Sequence, residues 1–383
     1  MRPLDGVRVL DLTRLLPGAW ATLQLADLGA EVIKVEDPRG GDHARHMAPL
    51  VNGVSAHFQV LNRNKRSITL DLRSPAAARV LDALASKADV VVDSFRPRTA
   101  RRLGVDAGTL HARHPRLICA SITGFGLTGP YADRAAHDIN YEALAGLLTH
   151  VGRASTGSRG AHPDQPRALS PSEGGPEVPS LLVADIGAAM NASAGILAAL
   201  FQRERTGMGA VVDISAHEAA LAWTQCPSTA DLRGANACYN IYETADGEWL
   251  ALGALEPKFW VGFCERIGRM DLAALQQASG DERSRVLSEV RGIMRSRTRA
   301  EWLARFADVD VCLTPIYTFD EVIADPHVAS RGVVSRDAEV TCITAPGAEV
   351  RRAPALGADT DEVLEAAGID ASERDWLRRA RVI

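Results

Sequence analysis

Residues 7–36 read V-R-V-L-D-L-T-R-L-L-P-G-A-W-A-T-L-Q-L-A-D-L-G-A-E-V-I-K-V-E. The apolar run at 7–12 predicts a buried strand, and Pro17-Gly18 opens a predicted helix over 19–28. Gly29 ends this helix, and a second strand is predicted over 31–36. A β-α-β unit of this kind indicates a parallel sheet with crossover helices. Because the unit lacks a G-x-G-x-x-G turn, a nicotinamide cofactor is not favoured.

The same alternation continues along the chain. Further strands are predicted after residue 66 and over 88–93, 117–122 and 210–215, and further helices over 75–87, 188–203 and 216–223. We therefore predict an α/β fold with a doubly wound, Rossmann-like parallel sheet. A ligand site is expected off the carboxyl ends of its strands.

A second, smaller α+β domain is predicted further along the chain. Residues 152–180 are rich in Gly, Ser, Pro and Ala without periodicity, which predicts a surface loop or insertion. Residues 241–252 predict a β-hairpin that turns at Asp246-Gly247. Helical patterns fill 257–306, and 309–316 predicts another strand.

Composition limits the classes of function. The net charge of −5 gives no basic field for nucleic acid. The six cysteines are scattered without metal-ligand spacing, so neither a metal site nor a disulfide framework is predicted. The longest apolar run, 186–201, contains Asn191 and Ser193 and is short for a membrane span. With no signal-peptide pattern at the start, these features predict a cytoplasmic protein that contacts neither membrane nor nucleic acid.

Three places carry candidate chemistry. His137 and Asp138 stand side by side after a glycine-rich turn, which suits proton transfer or attack on a carbonyl, although a capping or packing role is equally compatible. Asp185 lies near a predicted helix start, where helix capping is the structural alternative. Glu243 lies in the predicted hairpin, where a lone carboxylate is normally solvated. The basic segment 63–66 is either a solvated turn or a site for an anionic ligand.

Several motifs in the same order resemble the family III CoA-transferases, a superfamily that includes the α-methylacyl-CoA racemases. The resemblance runs from residue 4 to the end of the chain and is interrupted mainly by 152–180. The motifs that carry it are L-D-G-V-R-V-L-D-L, L-A-D-L-G-A-E-V-I-K-V-E-x-P-x-G-G-D, N-R-N-K-R-S-I-T-L-D-L, D-S-F-R-P, G-x-T-G-P, L-x-R-E-R-T-G-x-G and D-P-H-V-A-S-R-G.

The resemblance implies a domain arrangement and an assembly. A large α/β domain over 1–205 would be completed by 330–383, and a small domain would span 241–312. Linkers would run over 206–240 and 313–329. Two chains would interlock into a homodimer.

The resemblance also implies a substrate, an acyl-CoA thioester, with coenzyme A as part of the substrate and no separate cofactor. Basic side chains suit the pyrophosphate and 3′-phosphate of coenzyme A. The family's CoA-contacting motifs fall here on Lys34, Lys65, Arg66, Arg96 and Arg102.

Resemblance to the racemase branch assigns catalytic roles. The segment Ala136-His137-Asp138-Ile139-Asn140-Tyr141 matches that branch's G-H-D-I-N-Y motif except at its glycine. Inverting the α-carbon of a 2-methylacyl-CoA, or a related α-substituted acyl-CoA, requires proton removal on one face of an enolate and return on the other. His137 would serve one face and Asp185 the other. Glu243 would orient the imidazole, and the backbone N–H of Asp138 would stabilise the enolate oxygen.

Two alternatives remain open at this point. An acyl-CoA:carboxylate CoA-transferase would use Asp138 as its nucleophile. The residues after Asp185, Ile186-Gly187-Ala188-Ala189, favour that reading because the racemases carry a run of glycines there. A non-catalytic CoA-binding protein is the third reading. The motifs do not specify the acyl group.

Overall fold

The computed structural model describes residues 2–149, 178–225, 234–337, 340–344 and 349–383. The loop predicted over 152–180 therefore lies outside the described residues, apart from its last three. The described chain divides into two units. The first takes residues up to Leu147, Pro179–Trp223 and the described part of Pro326–Ile383, and the second takes the described parts of Leu148–Val178 and Thr224–Asp325.

The described strands, in chain order, are β1 (Arg8–Asp11), β2 (Glu31–Glu36), β3 (Leu50–Val51), β4 (Val54–Ser55), β5 (Arg66–Thr69), β6 (Val90–Asp93), β7 (Ile118–Thr123), β8 (Val211–Ser215), β9 (Tyr239–Glu243), β10 (Trp249–Gly253), β11 (Leu313–Pro315), β12 (Val334–Asp337) and β13 (Val340–Ile343). The described α-helices are α1 (Leu15–Asp27), α2 (Ala56–Asn62), α3 (Ala77–Ala85), α4 (Pro97–Leu103), α5 (Ala107–Arg113), α6 (Asp138–Leu144), α7 (Val183–Thr206), α8 (Ala216–Trp223), α9 (Pro257–Ile267), α10 (Gly280–Met294), α11 (Arg299–Arg305), α12 (Phe319–Ala324), α13 (Pro326–Arg331), α14 (Thr360–Ala366) and α15 (Ala371–Arg379). Short 3₁₀ turns span His43–His46, Leu147–Thr149 and Met270–Leu275.

The first unit is built on a six-stranded sheet in the order β5-β2-β1-β6-β7-β8. All five strand pairs are parallel. The chain runs outward from β1 to β5 in one direction and from β6 to β8 in the other, so the strand order reverses between β1 and β6. This is the doubly wound topology, and ligands of such sheets bind beyond the carboxyl ends of the strands. The α/β class with a central parallel sheet is thus confirmed.

Both faces of the sheet are covered by helices, as a parallel sheet requires. The residues of β6 and β7 are all buried. One face packs against α3, α5, α14 and α15, so the end of the chain completes the core there. The other face packs against α1, α7 and α8.

Helix α7 is long and apolar enough to cross a membrane by length and composition alone. Half of its most apolar window is buried in the protein. Its buried residues, Ala188, Ala189, Ala192 and Ile196 among them, belong to the core beside the sheet. A core helix of a globular unit has this composition.

The second unit holds a three-stranded antiparallel sheet in the order β11-β10-β9. The predicted hairpin is present, and Gly247 in its turn has a φ of +76°, which a glycine adopts without strain. Trp260 and Phe306 stack on either side of Phe263 in the core beneath the sheet. The strand predicted over 309–316 is shorter, since only Leu313–Pro315 pairs with β10.

Two predicted boundaries differ from the structure. Residues 206–240 were assigned to a linker, but they include β8, which pairs in parallel with β7 and forms the edge of the large sheet. Residues 313–329 were also assigned to a linker, but β11 belongs to the small sheet. In both cases a short strand joins a sheet through hydrogen bonds that composition does not reveal.

Candidate functional site

The loop after β7 is held by a cluster of aromatic rings. The Phe125 ring lies with its centroid 5.5 Å from that of Tyr131, 5.3 Å from that of Tyr141 and 5.8 Å from that of His217. Gly124 is required in this loop, because a Cβ atom there would lie 2.5 Å from the Tyr141 hydroxyl. The cluster fixes the path of the chain from the sheet to α6.

His137 lies at the end of this loop, directly before α6. Its backbone N–H donates to Asn140 Oδ1 at 3.0 Å, and the Tyr141 hydroxyl donates to the carbonyl of Ala136 at 3.0 Å. The side chain of His137 is exposed within the first unit, whereas Asp138, the first residue of α6, is buried. His137 is also the N-cap residue of α6, so the capping role that the sequence allowed is present in the fold beside an exposed side chain that a ligand can reach.

Two carboxyl groups of α6 bind the start of α7. Asp138 Oδ1 accepts the backbone N–H of Asp185 at 2.8 Å, and Glu142 Oε1 accepts that of Val183 at 3.1 Å. The first turn of a helix leaves such N–H groups without partners, and Leu182 at the N-cap offers no side-chain acceptor. The helix begins at Val183 rather than at 188 as predicted. Asp185 lies inside its first turn, so the capping alternative for Asp185 is wrong.

The electrostatics of this junction favour proton transfer near neutral pH. Burial, and then the Asp138 carboxylate, raise the pKa of Asp185 to about 7. Burial and the neighbouring Asp138 also raise the pKa of Glu142 to about 7. A general acid or base works best when its pKa lies near the working pH.

Glu142 is not among the candidate functional residues that the sequence motifs indicate. Its signal was the D-x-x-x-E spacing from Asp138, which places both carboxyl groups on one face of a helix. That spacing could not be interpreted without the position of α7, whose start was predicted five residues too late.

Glu243 lies in the second unit, at the end of β9 opposite Trp249. Its carboxylate accepts two hydrogen bonds from the guanidinium of Arg295, at 2.6 and 3.0 Å. Sequence patterns gave no sign of this ion pair within the unit. The role predicted for Glu243 beside His137 stays a prediction.

Two lysines predicted to contact coenzyme A are buried in ion pairs of the first unit. Lys34 Nζ lies 2.9 Å from Asp42 Oδ2, and Lys65 Nζ lies 3.0 Å from Asp11 Oδ2, all with side chains almost fully buried. The Lys65 ammonium also donates to Ala19 O, Thr22 Oγ1 and Asn62 Oδ1. These contacts argue against the predicted phosphate role, because an ammonium with no exposed surface cannot reach a phosphate unless the fold opens.

The substitution Lys65→Met should therefore lower the free energy of unfolding by about 3–5 kcal/mol, since it removes the ion-pair partner of the buried Asp11 carboxylate. Urea unfolding measures this. As a control, Arg39→Ala removes an exposed pair with Asp37 and should cost about 0–1 kcal/mol. Unchanged stability together with weaker acyl-CoA binding would restore the phosphate role of Lys65.

Arg66 lies at the amino ends of the parallel strands, whereas the catalytic candidates lie beyond the carboxyl ends. It begins β5 and forms ion pairs with Glu31 and Asp359. It also lines a cavity of about 980 Å³ at the amino ends of β1, β2 and β5. Arg66 and Arg96, which follows the carboxyl end of β6, therefore cannot bind the same phosphate group.

Arg96 and Arg102 fit the predicted anionic ligand better. Both are exposed, and no carboxylate among the described residues pairs with them. They lie in and before α4, beyond the carboxyl end of β6, where the strand order reverses. Arg14 lies at the same carboxyl ends of the strands, with its guanidinium 5.6 Å from the centroid of the Phe95 ring. The sequence motifs did not indicate this residue.

Fold and site together define a doubly wound α/β protein with acid–base groups beyond the carboxyl ends of its strands. The chain matches the family model described as CoA-transferase family III over residues 4–360. It is 32% identical to the α-methylacyl-CoA racemase of Homo sapiens, covering 99% of this chain and 97% of that protein. It is 33% identical to the succinyl-CoA–D-citramalate CoA-transferase of Chloroflexus aurantiacus, covering 100% and 98%. A CaiB/BaiF family protein from Brucella suis superposes with a TM-score of 0.78 at 28% identity, covering 96% and 99%.

The chain therefore belongs to the family III CoA-transferases and is an enzyme of that superfamily. This confirms the family predicted from the sequence motifs.

Proposed function

We propose that the protein racemises or epimerises an α-substituted acyl-CoA, such as a 2-methylacyl-CoA, by removing and returning the α-proton. One observation carries the proposal: Asp138, next to His137, accepts the backbone N–H of Asp185 at 2.8 Å, at a junction where burial, and then the Asp138 carboxylate, raise the pKa of the Asp185 carboxyl group to about 7. The exposed imidazole of His137 and the carboxyl group of Asp185, whose pKa is about 7, thus both belong to the junction at which α6 holds the start of α7. Two such groups are what inversion through an enolate requires.

In this reaction His137 takes the α-proton from one enantiomer, and Asp185 gives a proton to the opposite face of the enolate. The roles exchange for the other enantiomer. The proposed reaction uses no metal or redox cofactor: removing and returning a proton changes no oxidation state, and coenzyme A enters as part of the substrate. Arg96 and Arg102, exposed and without described carboxylate partners, are our candidates for binding its phosphates.

A second candidate function is CoA transfer from an acyl-CoA to a free carboxylic acid. The similarity to a CoA-transferase at 33% identity supports it, as does the alanine-rich sequence after Asp185. In this reaction a carboxylate attacks the thioester carbonyl, and the C–S bond breaks to release the CoA thiolate. The sequence assigned the attack to Asp138. The burial of Asp138 and its bond to the Asp185 N–H support Asp185 as the nucleophile instead.

The proposal also includes an interlocked homodimer in the cytoplasm. Exposed apolar side chains on α7 support a protein contact on that helix. Met190 is 52% exposed and Phe201 67% exposed.

Incubation of the protein with one enantiomer of a 2-methylacyl-CoA in D₂O tests the choice between the two reactions. Racemisation predicts α-deuterium in the product and loss of optical purity. Retention of optical purity and of the α-proton, with CoA passing to an added carboxylic acid, would instead establish the transferase. In the second case, hydroxylamine added to the protein after free acyl-CoA has been removed should leave a hydroxamate on the attacking carboxylate of the enzyme, an adduct that racemisation does not form.

A further inference from the structure

Glu142 is a buried carboxyl group to which the proposed reaction gives no role. Its side chain is 0% exposed, and Asp138, one helical turn earlier, is 6% exposed. Each of the two accepts a backbone N–H from the first turn of α7. The two groups therefore set where α7 begins, and Asp185 is the third residue of that helix.

Within the part of the chain that the structure describes, neither Asp138 nor Glu142 forms an ion pair with an Arg, Lys or His side chain. Two ionised carboxylates this close repel each other strongly in a buried place, and such pairs hold one proton between them.

The geometry indicates which group holds that proton. Glu142 Oε2 is buried, and no hydrogen-bond donor among the described residues reaches it. An ionised Glu142 would leave this oxygen unsatisfied. A proton on Oε2 removes the deficit, because the hydroxyl can then donate to the neighbouring Asp138 carboxylate.

We propose that Glu142 is a positioning residue that works as a neutral carboxylic acid, accepting the Val183 N–H and donating to Asp138. This inference rests on the proposed function, in which Asp185 exchanges the α-proton. Glu142 then fixes the first turn of α7 and keeps a second negative charge away from Asp185. The raised pKa of Glu142 agrees with a proton held at neutral pH. The titratable groups of α6 and α7 at the junction are Asp138, Tyr141 and Asp185, with Arg96 close enough to act on Tyr141, and α8 contributes the apolar Ala220.

Two substitutions separate this role from simple packing. Glu142→Gln reproduces the neutral acid, since its amide oxygen accepts from Val183 and its amide nitrogen donates to Asp138. Its kcat for α-proton exchange at pH 7 should stay within about threefold of the wild type. Glu142→Met fills similar space without hydrogen bonds, and the misplaced Asp185 should lower kcat by roughly tenfold to 100-fold with little change in KM. Glu204→Gln, at the exposed end of α7, is the matched control and should change neither constant.

Urea unfolding between pH 5 and 8 provides a readout that does not depend on catalysis. Glu142 ionises near pH 4.3 when unfolded but about pH 7 when folded, so its stabilising contribution is lost as the pH rises between these values. The urea midpoint of Glu142→Gln should therefore fall less over this range than that of the wild type. Asp185 shifts in the same direction but is present in both proteins, so the difference reports on Glu142.

Two results would overturn the proposal: a Glu142→Gln variant as impaired as Glu142→Met, or urea midpoints that change in parallel with pH in the wild type and Glu142→Gln. If the wild type exchanges no α-proton at all, the proposed function fails, and the urea comparison still decides the state of Glu142.

Discussion

Replacing His137 with alanine should lower the rate of α-proton exchange of a 2-methylacyl-CoA with D₂O by about 10²–10⁴-fold, the usual contribution of one general acid–base group. The side chain is exposed at the start of α6, so its removal leaves no buried cavity. Stability and acyl-CoA binding should therefore remain near those of the wild type. Added imidazole should restore part of the exchange rate, because a small base can enter the space of the missing side chain.

Two further variants test this assignment. His57→Ala removes an exposed histidine elsewhere in the first unit and should leave exchange unchanged. Asp138→Asn keeps the oxygen that accepts the Asp185 N–H and should retain part of the exchange activity. Full exchange by His137→Ala would refute the catalytic role of His137.

Asp185→Asn should reduce racemisation by a similar factor, about 10²–10⁴-fold, because it removes the group that serves the opposite face of the enolate. Burial and Asp138 raise the pKa of Asp185 to about 7. For the enantiomer whose proton Asp185 removes, kcat/KM in the wild type should thus rise with pH through about 7, as the carboxylate form accumulates. This limb of the pH profile should be absent in Asp185→Asn.

The same substitution should not destabilise the fold at neutral pH. A carboxyl group with a raised pKa in the folded chain loses its stabilising contribution as the pH rises from its unfolded value, about 4, through about 7. Asp185→Asn removes that loss, so its urea midpoint at pH 8 should equal or exceed that of the wild type. Asp375→Asn, exposed on α15, is the control for both measurements. Wild-type racemisation in Asp185→Asn would exclude Asp185 as the second acid–base group, while loss of both activity and stability would indicate a structural role.

The paired strands of the first unit show how much of the fold a local sequence pattern predicts. The predicted strand over 31–36 coincides with β2, and the strands predicted over 88–93 and 117–122 correspond to β6 and β7, all of whose residues are buried. Such runs can be assigned because both the period and the composition of a buried parallel strand are local properties. The sequence motifs likewise identified the family, which the match over residues 4–360 confirms; the acid–base roles of His137 and Asp185 stay a prediction.

The burial of a side chain and the identity of its ion-pair partners are not local properties of the sequence. Lys34 and Lys65 were predicted to contact phosphate, but the fold pairs Lys34 with Asp42, eight residues further on, and Lys65 with Asp11, 54 residues away, and it buries both pairs. Arg66 and Arg96 belonged to one predicted ligand site. The strand direction places Arg66 at the amino end of β5 and Arg96 beyond the carboxyl end of β6. Glu243 was assigned from a motif, and its ion pair with Arg295 joins residues 52 positions apart.

The sequence by itself determined the alternation of strands and helices and the family, because periodicity and short motifs encode these within a few residues. Tertiary structure alone decided that Asp138 and Glu142 of α6 hold the first turn of α7. The two helices are separated by a segment of about forty residues, and the N–H groups at the start of α7 are satisfied by carboxyl groups that no local pattern connects to them. This packing raises the pKa of Asp185 toward the range in which it can exchange a proton.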